Sequence, residues 1–218
     1  MPVKAVLFDA YGTLVKNEEL MLIPRRIVAD HALSAGVEDV LHVWSDLYFE
    51  ATQQPPFQTL RAIQGQILQR VLRHFDVDGD ATPYVDLFFQ VTTTVELYPE
   101  VLEVLNALGS IRTAVVSNAD QEHLAAWTFI LPVEFILVSE AARAYKPDPV
   151  VFRRALAQFG LQPDDVLHVG DSDVDDVMGA KAAGLRVVWV NRDGRPRRPD
   201  VPRPDFEIRD LKELPTLL

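Results

Sequence analysis

Four polar clusters, each placed where an apolar run ends, hold the residues of this chain that can do chemistry. The first is Asp9, which closes the run Val3-Lys4-Ala5-Val6-Leu7-Phe8 and is followed by Tyr11, Gly12 and Thr13. A carboxylate there can attack a substrate or ligate a metal, with Gly12 letting the substrate approach the backbone. The alternative is that Asp9 only caps the next turn or helix. The second cluster is Ser117-Asn118, a hydroxyl and an amide able to donate to an anionic oxygen, or ordinary turn and cap residues. The third is Lys146 in Tyr145-Lys146-Pro147-Asp148-Pro149, where two prolines stiffen the backbone before a helix. It delivers a fixed positive charge into a cleft, or it is one more surface lysine. The fourth is Gly170-Asp171-Ser172-Asp173-Val174-Asp175-Asp176. Four carboxylates within six residues repel one another unless a cation or solvent separates them. They offer oxygen ligands to a hard cation, for which Mg²⁺ is the natural choice; read otherwise, they form an acidic loop that caps the following helix.

These clusters meet only if the elements before them are strands of one sheet, because in open α/β sheets ligands gather beyond the strands' carboxyl ends. The apolar run before Asp9 reads as a buried parallel strand. Residues 16–95 then turn helical in pattern. Ile23, Ile27, Val28 and Leu33 fit one amphipathic helix, and Val40, Val43, Trp44, Leu47 and Tyr48 a second. Leu60, Ile63, Ile67, Leu68, Val71 and Leu72 fit a third, and Val85, Leu87, Phe88 and Val91 a fourth. From Tyr98-Pro99 onward, strands over 111–116, 133–138, 166–169 and 185–190 alternate with helices over 99–108, 121–128, 149–160 and 176–184. That alternation predicts an α/β fold with a doubly wound parallel sheet. Two domains follow: 1–15 with 96–218 as the α/β unit, and 16–95 as a helical insertion. Residues 192–204, with five Arg and four Pro, read as a solvated extended loop, or as an anion site. The last segment, 206–218, packs on the sheet edge.

Composition narrows the function. The chain has 218 residues, 48% of them hydrophobic, and a net charge of −11. Such a chain buries a full core, and its charge argues against a nucleic-acid surface. Without cysteine, thiolate catalysis, thiolate metal sites and disulfides are excluded. No basic segment followed by a long apolar one precedes the first strand, and no run of 18 apolar residues occurs. A cytoplasmic protein without a membrane span is expected.

The strings FDAYGTL, VVSNAD, YKPDP and VGDSDVDDVMGAKAAG, in this order along an α/β chain, resemble the four motifs of the haloacid dehalogenase-like hydrolases. The resemblance runs end to end. It implies a Rossmann-like core, with residues 16–95 as a mobile α-helical cap of the first class that closes over the substrate. It also implies that Asp9 forms a covalent aspartyl intermediate that water hydrolyses. Thr13 and Ser117 would steady the transferring group, with Tyr11, Gly12 and Asn118 beside the substrate. Lys146 would offset charge on nucleophile and substrate. Asp171 and Asp176 would bind Mg²⁺ with Asp9 and the Tyr11 carbonyl.

The resemblance divides over the reaction. Phosphatases of the family carry an Asp two residues after the nucleophile as general acid; this chain has Tyr11, and DAYGT is typical of 2-haloacid dehalogenases. Those enzymes, however, use no Mg²⁺ and carry Ser-Ser-Asn in the fourth motif where this chain has Gly-Asp-Ser. They place Arg after a cap Trp where Trp44 is followed by Ser45, and Tyr where this chain has Phe152. The expected activity is therefore Mg²⁺-dependent hydrolysis of a small phosphorylated substrate, selective for good leaving groups unless a cap histidine (His31, His42 or His74) supplies the proton. The alternatives are a 2-haloacid dehalogenase and a catalytically weak scaffold that binds a phosphorylated ligand or a protein partner. A monomer and a homodimer are both compatible with the sequence.

Overall fold

The structure is a computed structural model that describes residues 3–218. Six strands form one sheet: β1 (Ala5–Phe8), β2 (Arg112–Ser117), β3 (Phe135–Val138), β4 (Val166–Gly170), β5 (Arg186–Val190) and β6 (Phe206–Ile208). Their order is β3-β2-β1-β4-β5-β6 and every neighbouring pair is parallel. Parallel strands buried on both faces need continuous apolar runs rather than alternation. Ala5-Val6-Leu7-Phe8 and Val187-Val188-Trp189-Val190 supply them, every residue being buried. Chain order reverses between β1 and β4, the position at which such sheets leave a crevice beyond their carboxyl ends. Register fixes what lies there. Phe8 pairs with both Val115 and Val169, so Asp9, the end of β2 and Gly170 come out at one level.

The chain divides into two compact units, residues 1–16, 96–118 and 128–218, and residues 17–95 with 119–127. Residues 1 and 2 of the first predicted range lie outside the described residues. The segment 119–127, which the sequence pattern assigns to the α/β part, groups with the helices. In the α/β unit, α5 (Val101–Ala107), α7 (Ser139–Ala142), α8 (Pro149–Phe159) and α9 (Gly179–Ala182) connect the strands. The core gathers Leu7, Val116, Val151, Phe152, Leu156, Val166, Val177, Val187 and Trp189. The two ends of the insertion lie together in this unit, where Lys16 N donates to Glu96 O and Tyr98 N to Leu14 O, each at 2.9 Å.

The helical unit holds α1 (Leu22–Asp30), α2 (Val37–Thr52), α3 (Leu60–His74), α4 (Thr82–Thr93) and α6 (Gln121–Ala126). Its core contains Ile23, Ile27, Ile63, Ile67 and Leu68, the apolar stripe that the sequence periodicity marks out. Trp44 is buried against Phe88 and donates its indole N–H to Gln64 Oε1 at 2.9 Å, which satisfies both polar groups. Asp120 explains why 119–127 belongs here: its two oxygens accept from the N–H groups of Leu60 and Arg61, at 2.9 and 3.0 Å, and so cap α3.

Several boundaries differ from the predicted ones. The helix expected from Pro99 starts at Val101, because Tyr98-Pro99-Glu100 forms a turn closed by Val101 N donating to Tyr98 O. The helix expected from Asp176 starts three residues earlier, in a wide turn over Asp173–Met178 before α9. Ser172 sets that start by accepting from Asp175 N at 3.0 Å. The terminal segment does reach the sheet edge, as β6 beside β5.

Candidate active site

Three of the four polar clusters lie at the carboxyl ends of strands in the α/β unit, those after β1, β2 and β4, and the Lys146 cluster follows β3 by way of α7. Asp9 follows β1 and is held there by its own N–H, which donates to Val169 O at 2.8 Å. Lys146, in the loop after α7, is 2% exposed and donates from Nζ to Asp9 Oδ1 and to Asp176 Oδ1, both at 2.6 Å. It is the single buried Lys or Arg among the described residues. Asn118 fixes that loop by a reciprocal pair: its Oδ1 accepts from Lys146 N at 2.8 Å and its Nδ2 donates to Lys146 O at 3.1 Å. The same Nδ2 lies 3.2 Å from Asp175 Oδ2. Asp176 spans the cluster, since its Oδ1 takes Lys146 and His168 Nε2 while its Oδ2 accepts from Ser172 N at 2.9 Å.

Two glycines permit this crowding. Gly12 sits at φ +89°, and a Cβ there would collide with the carboxylate of Asp171. A Cβ on Gly170 would collide with the carboxylate of Asp176. Each position thus needs a residue without a side chain, and Gly12 needs the positive φ as well.

Electrostatics divide the carboxylates. Burial pushes Asp9 up from its ordinary value, and Asp176 adds to that while Lys146 opposes it. Burial together with the charges of Asp9 and Asp176 pushes Asp171 well up. Asp175 is pushed up to about 7, by burial first and then by Asp176 and Asp9, against Lys146. Asp176 goes the other way: burial disfavours its charge, but Lys146 and His168 hold it well below the usual carboxylate range. Lys146 remains charged, because Asp176 and Asp9 outweigh the burial that would pull it down.

The ligand atoms of Asp9, Asp171 and Asp176 lie within 4.8 Å of one another. Three carboxylates around one lysine ammonium leave excess negative charge that a divalent cation would relieve. A second observation points the same way. Asp9 Oδ2, Thr13 Oγ1 and Ser117 Oγ are buried without a hydrogen-bond partner. Unpaired buried polar atoms are costly, and three of them at neighbouring strand ends suit a site that holds polar ligand atoms.

Of the predicted residues, the structure brings together Asp9, Asn118, Lys146, Asp171 and Asp176, with Gly12 against Asp171, while Thr13 follows β1 and Ser117 ends β2 without a side-chain hydrogen bond to them. Asp173 does not, since its Oδ2 accepts from Arg198 N. Sequence reasoning missed three residues. The arginine-rich loop is mostly exposed, as predicted, Arg195 included, but Arg192 is half-buried and turns back from it, which corrects the solvated reading for that residue. Arg192 donates to the carbonyls of Gly12 and Thr13 at 3.3 and 3.0 Å, lies 2.8 Å from Glu100, and stacks over Tyr98. Arg195 donates to Asp171 O at 2.9 Å, an oxygen that also accepts from Trp189 Nε1 at 2.8 Å. The signal that could have found both is their position just past β5, a fifth strand end beside the other four. The third, His168, lay inside an apolar run and carried no pattern.

Fold and site together define a hydrolase class. The family model for haloacid dehalogenase-like hydrolases matches residues 3–184, and the chain belongs to that family. It is similar to the phosphoserine phosphatase of Thermus thermophilus, at 32% identity over 97% of each chain. It is also similar to (S)-2-haloacid dehalogenase 1 of a Pseudomonas species, at 26% identity over 100% of this chain and 97% of the relative. Among solved structures, the L-2-haloacid dehalogenase of Xanthobacter autotrophicus with chloropropionic acid covalently bound shares the fold, with a TM-score of 0.79 at 22% identity over 99% and 98% of the two chains. Relatives thus include phosphatases and dehalogenases alike.

Proposed function

We propose that the protein is a Mg²⁺-dependent phosphohydrolase of small molecules, selective for substrates with good leaving groups. The observation that carries this reading is Asp171: an acidic side chain that joins Asp9 and Asp176 in a triad fit for a hard cation. Asp9, Asp171 and Asp176, with the Tyr11 carbonyl, would hold the ion. Its chemistry would be to neutralise the phosphoryl oxygens and the carboxylates as they approach.

The rest is done by the chain's own groups. Lys146 takes up Asp9 Oδ1, so Oδ2 is the oxygen left to attack phosphorus. As that bond forms, the bond from phosphorus to the leaving oxygen breaks, giving an aspartyl phosphate. Water then attacks the phosphorus, the bond from phosphorus to Asp9 Oδ2 breaks, and inorganic phosphate leaves with the carboxylate restored. Thr13 and Ser117 donate their hydroxyl protons to phosphoryl oxygens, as does the fixed ammonium of Lys146. No carboxyl follows Asp9 by two residues to protonate the leaving oxygen. Tyr11 is a weak donor, with an ordinary pKa of about 10. Loss of general acid catalysis costs about 10²- to 10⁴-fold, which an aryl or acyl leaving group does not feel.

A second reading, 2-haloacid dehalogenase, is favoured by Tyr11 itself and by the dehalogenase relatives, since a halide leaves without a proton. In it Asp9 Oδ2 attacks carbon, halide departs, and water hydrolyses the ester. The test that separates them measures phosphate release from an aryl phosphate, with Mg²⁺ and with chelator, beside chloride release from L-2-chloropropionate. Tyr11→Asp measures the missing proton in parallel: phosphatase activity on an alkyl phosphate should rise, and no rise would refute this account of Tyr11.

A further inference from the structure

His168 sits in the middle of β4, fully buried, with Leu7 and Val187 as its partners on the neighbouring strands. Interior positions of parallel strands favour apolar side chains, and a buried imidazole is costly unless its polar atoms are paired. One atom is paired. Nε2 lies 2.9 Å from Asp176 Oδ1, the same oxygen that accepts from Lys146 Nζ at 2.6 Å, so the imidazole meets it as a second donor. Nδ1 has no partner. Phe152 packs edge-on against the ring, with centroids 4.9 Å apart.

We propose that His168 is a positioning residue for the reaction, acting through Asp176 and Lys146 on the nucleophile. The chain of contacts is continuous: His168 Nε2 to Asp176 Oδ1, Asp176 Oδ1 to Lys146 Nζ, Lys146 Nζ to Asp9 Oδ1. Asp176 Oδ1 carries two donors, so the imidazole fixes the direction from which Lys146 approaches. Lys146 in turn decides which oxygen of Asp9 is free. Without His168, the carboxylate of Asp176 can rotate toward the ammonium and draw it away from Asp9. The attacking oxygen then spends less time aligned, and rate is lost where substrate affinity is not. The inference rests on Asp9 being the nucleophile, which both functional readings share.

The test compares His168→Gln, His168→Asn and His168→Leu. A Gln amide reaches the place of Nε2, an Asn amide reaches only that of Nδ1, and Leu has no donor. On whichever of aryl phosphate and L-2-chloropropionate the parent turns over, His168→Leu and His168→Asn should lose about 10- to 100-fold in kcat, with KM within about twofold. His168→Gln should recover most of that rate. Parent-like turnover in His168→Leu, or equal loss in Gln and Asn, would overturn the proposal. If Leu fails to fold, the Gln–Asn comparison decides alone. If the parent turns over neither substrate, the functional reading fails, and ¹⁵N imidazole spectra of the parent and of Asp176→Asn judge the contact. A ring protonated on Nε2 whose Nε2 resonance moves on the Asp176 change supports it; a ring protonated on Nδ1 overturns it.

Discussion

At the scale of residues, one lysine holds a group of acids together. Lys146 touches two carboxylates and is buried with them, so its removal leaves Asp9 and Asp176 facing each other without a cation. Breaking a buried pair on one side costs about 3–5 kcal/mol. Lys146→Met should accordingly lower the unfolding free energy by that amount in a denaturant titration, and turnover should vanish with it. Asp9 behaves differently. Folding already opposes its ionisation, so a neutral amide is tolerated there. Asp9→Asn should lose at least about 10³-fold in turnover while its melting temperature stays near the parent's. A large fall in melting temperature would mean that Asp9 is a structural partner of Lys146 rather than a nucleophile.

At the scale of elements, strand ends position the chemistry and caps hold the helices. The N-terminus of α3 is capped from a distant segment by Asp120 rather than by Thr59 alone, whose Oγ1 accepts from Ala62 N at 3.4 Å. Asp120→Ala should destabilise the helical unit by about 0.5–2 kcal/mol, read as earlier hydrogen exchange in α3. His123 on α6 is buried beside Thr92, and burial pulls its pKa below the ordinary value against the opposing charge of Asp120. Its neutral form is what folding selects. The stability it carries is fully present above its unfolded pKa of about 6.5 and is lost as pH falls through its lower folded value. Urea midpoints should therefore drop between about pH 7 and pH 5, and His123→Gln should flatten that slope. The elements themselves were largely legible from sequence. Ala5–Phe8 and Val187–Val190 are unbroken apolar runs, and the stripe Ile63, Ile67, Leu68 repeats at helical spacing. What was not legible is set by contacts beyond the local pattern: Asp120 capping α3 from sixty residues away, and Ser172 starting a helical turn three residues before the pattern does.

At the scale of the whole molecule, the net charge of −11 is carried partly into the interior, where Asp9, Asp171, Asp175 and Asp176 crowd about Lys146. The order of the motifs sufficed to bring Asp9 and Asp171 together, because chain order reverses between β1 and β4. Arg192 and Arg195 could not be told from the other arginines of their loop, because a run of Arg and Pro looks the same whether it is solvated or bracing two loops. The family leaves two reactions open, and they differ in one requirement. A phosphoryl group approaching this acidic centre needs a divalent cation to offset charge, whereas a neutral carbon–halogen bond does not. The deciding measurement is turnover of an aryl phosphate and of L-2-chloropropionate by the same preparation, in Mg²⁺ and in chelator. The expected result is phosphate release that depends on Mg²⁺ and stops with the chelator, and no chloride release. Chloride release indifferent to the chelator, without phosphate release, would contradict it.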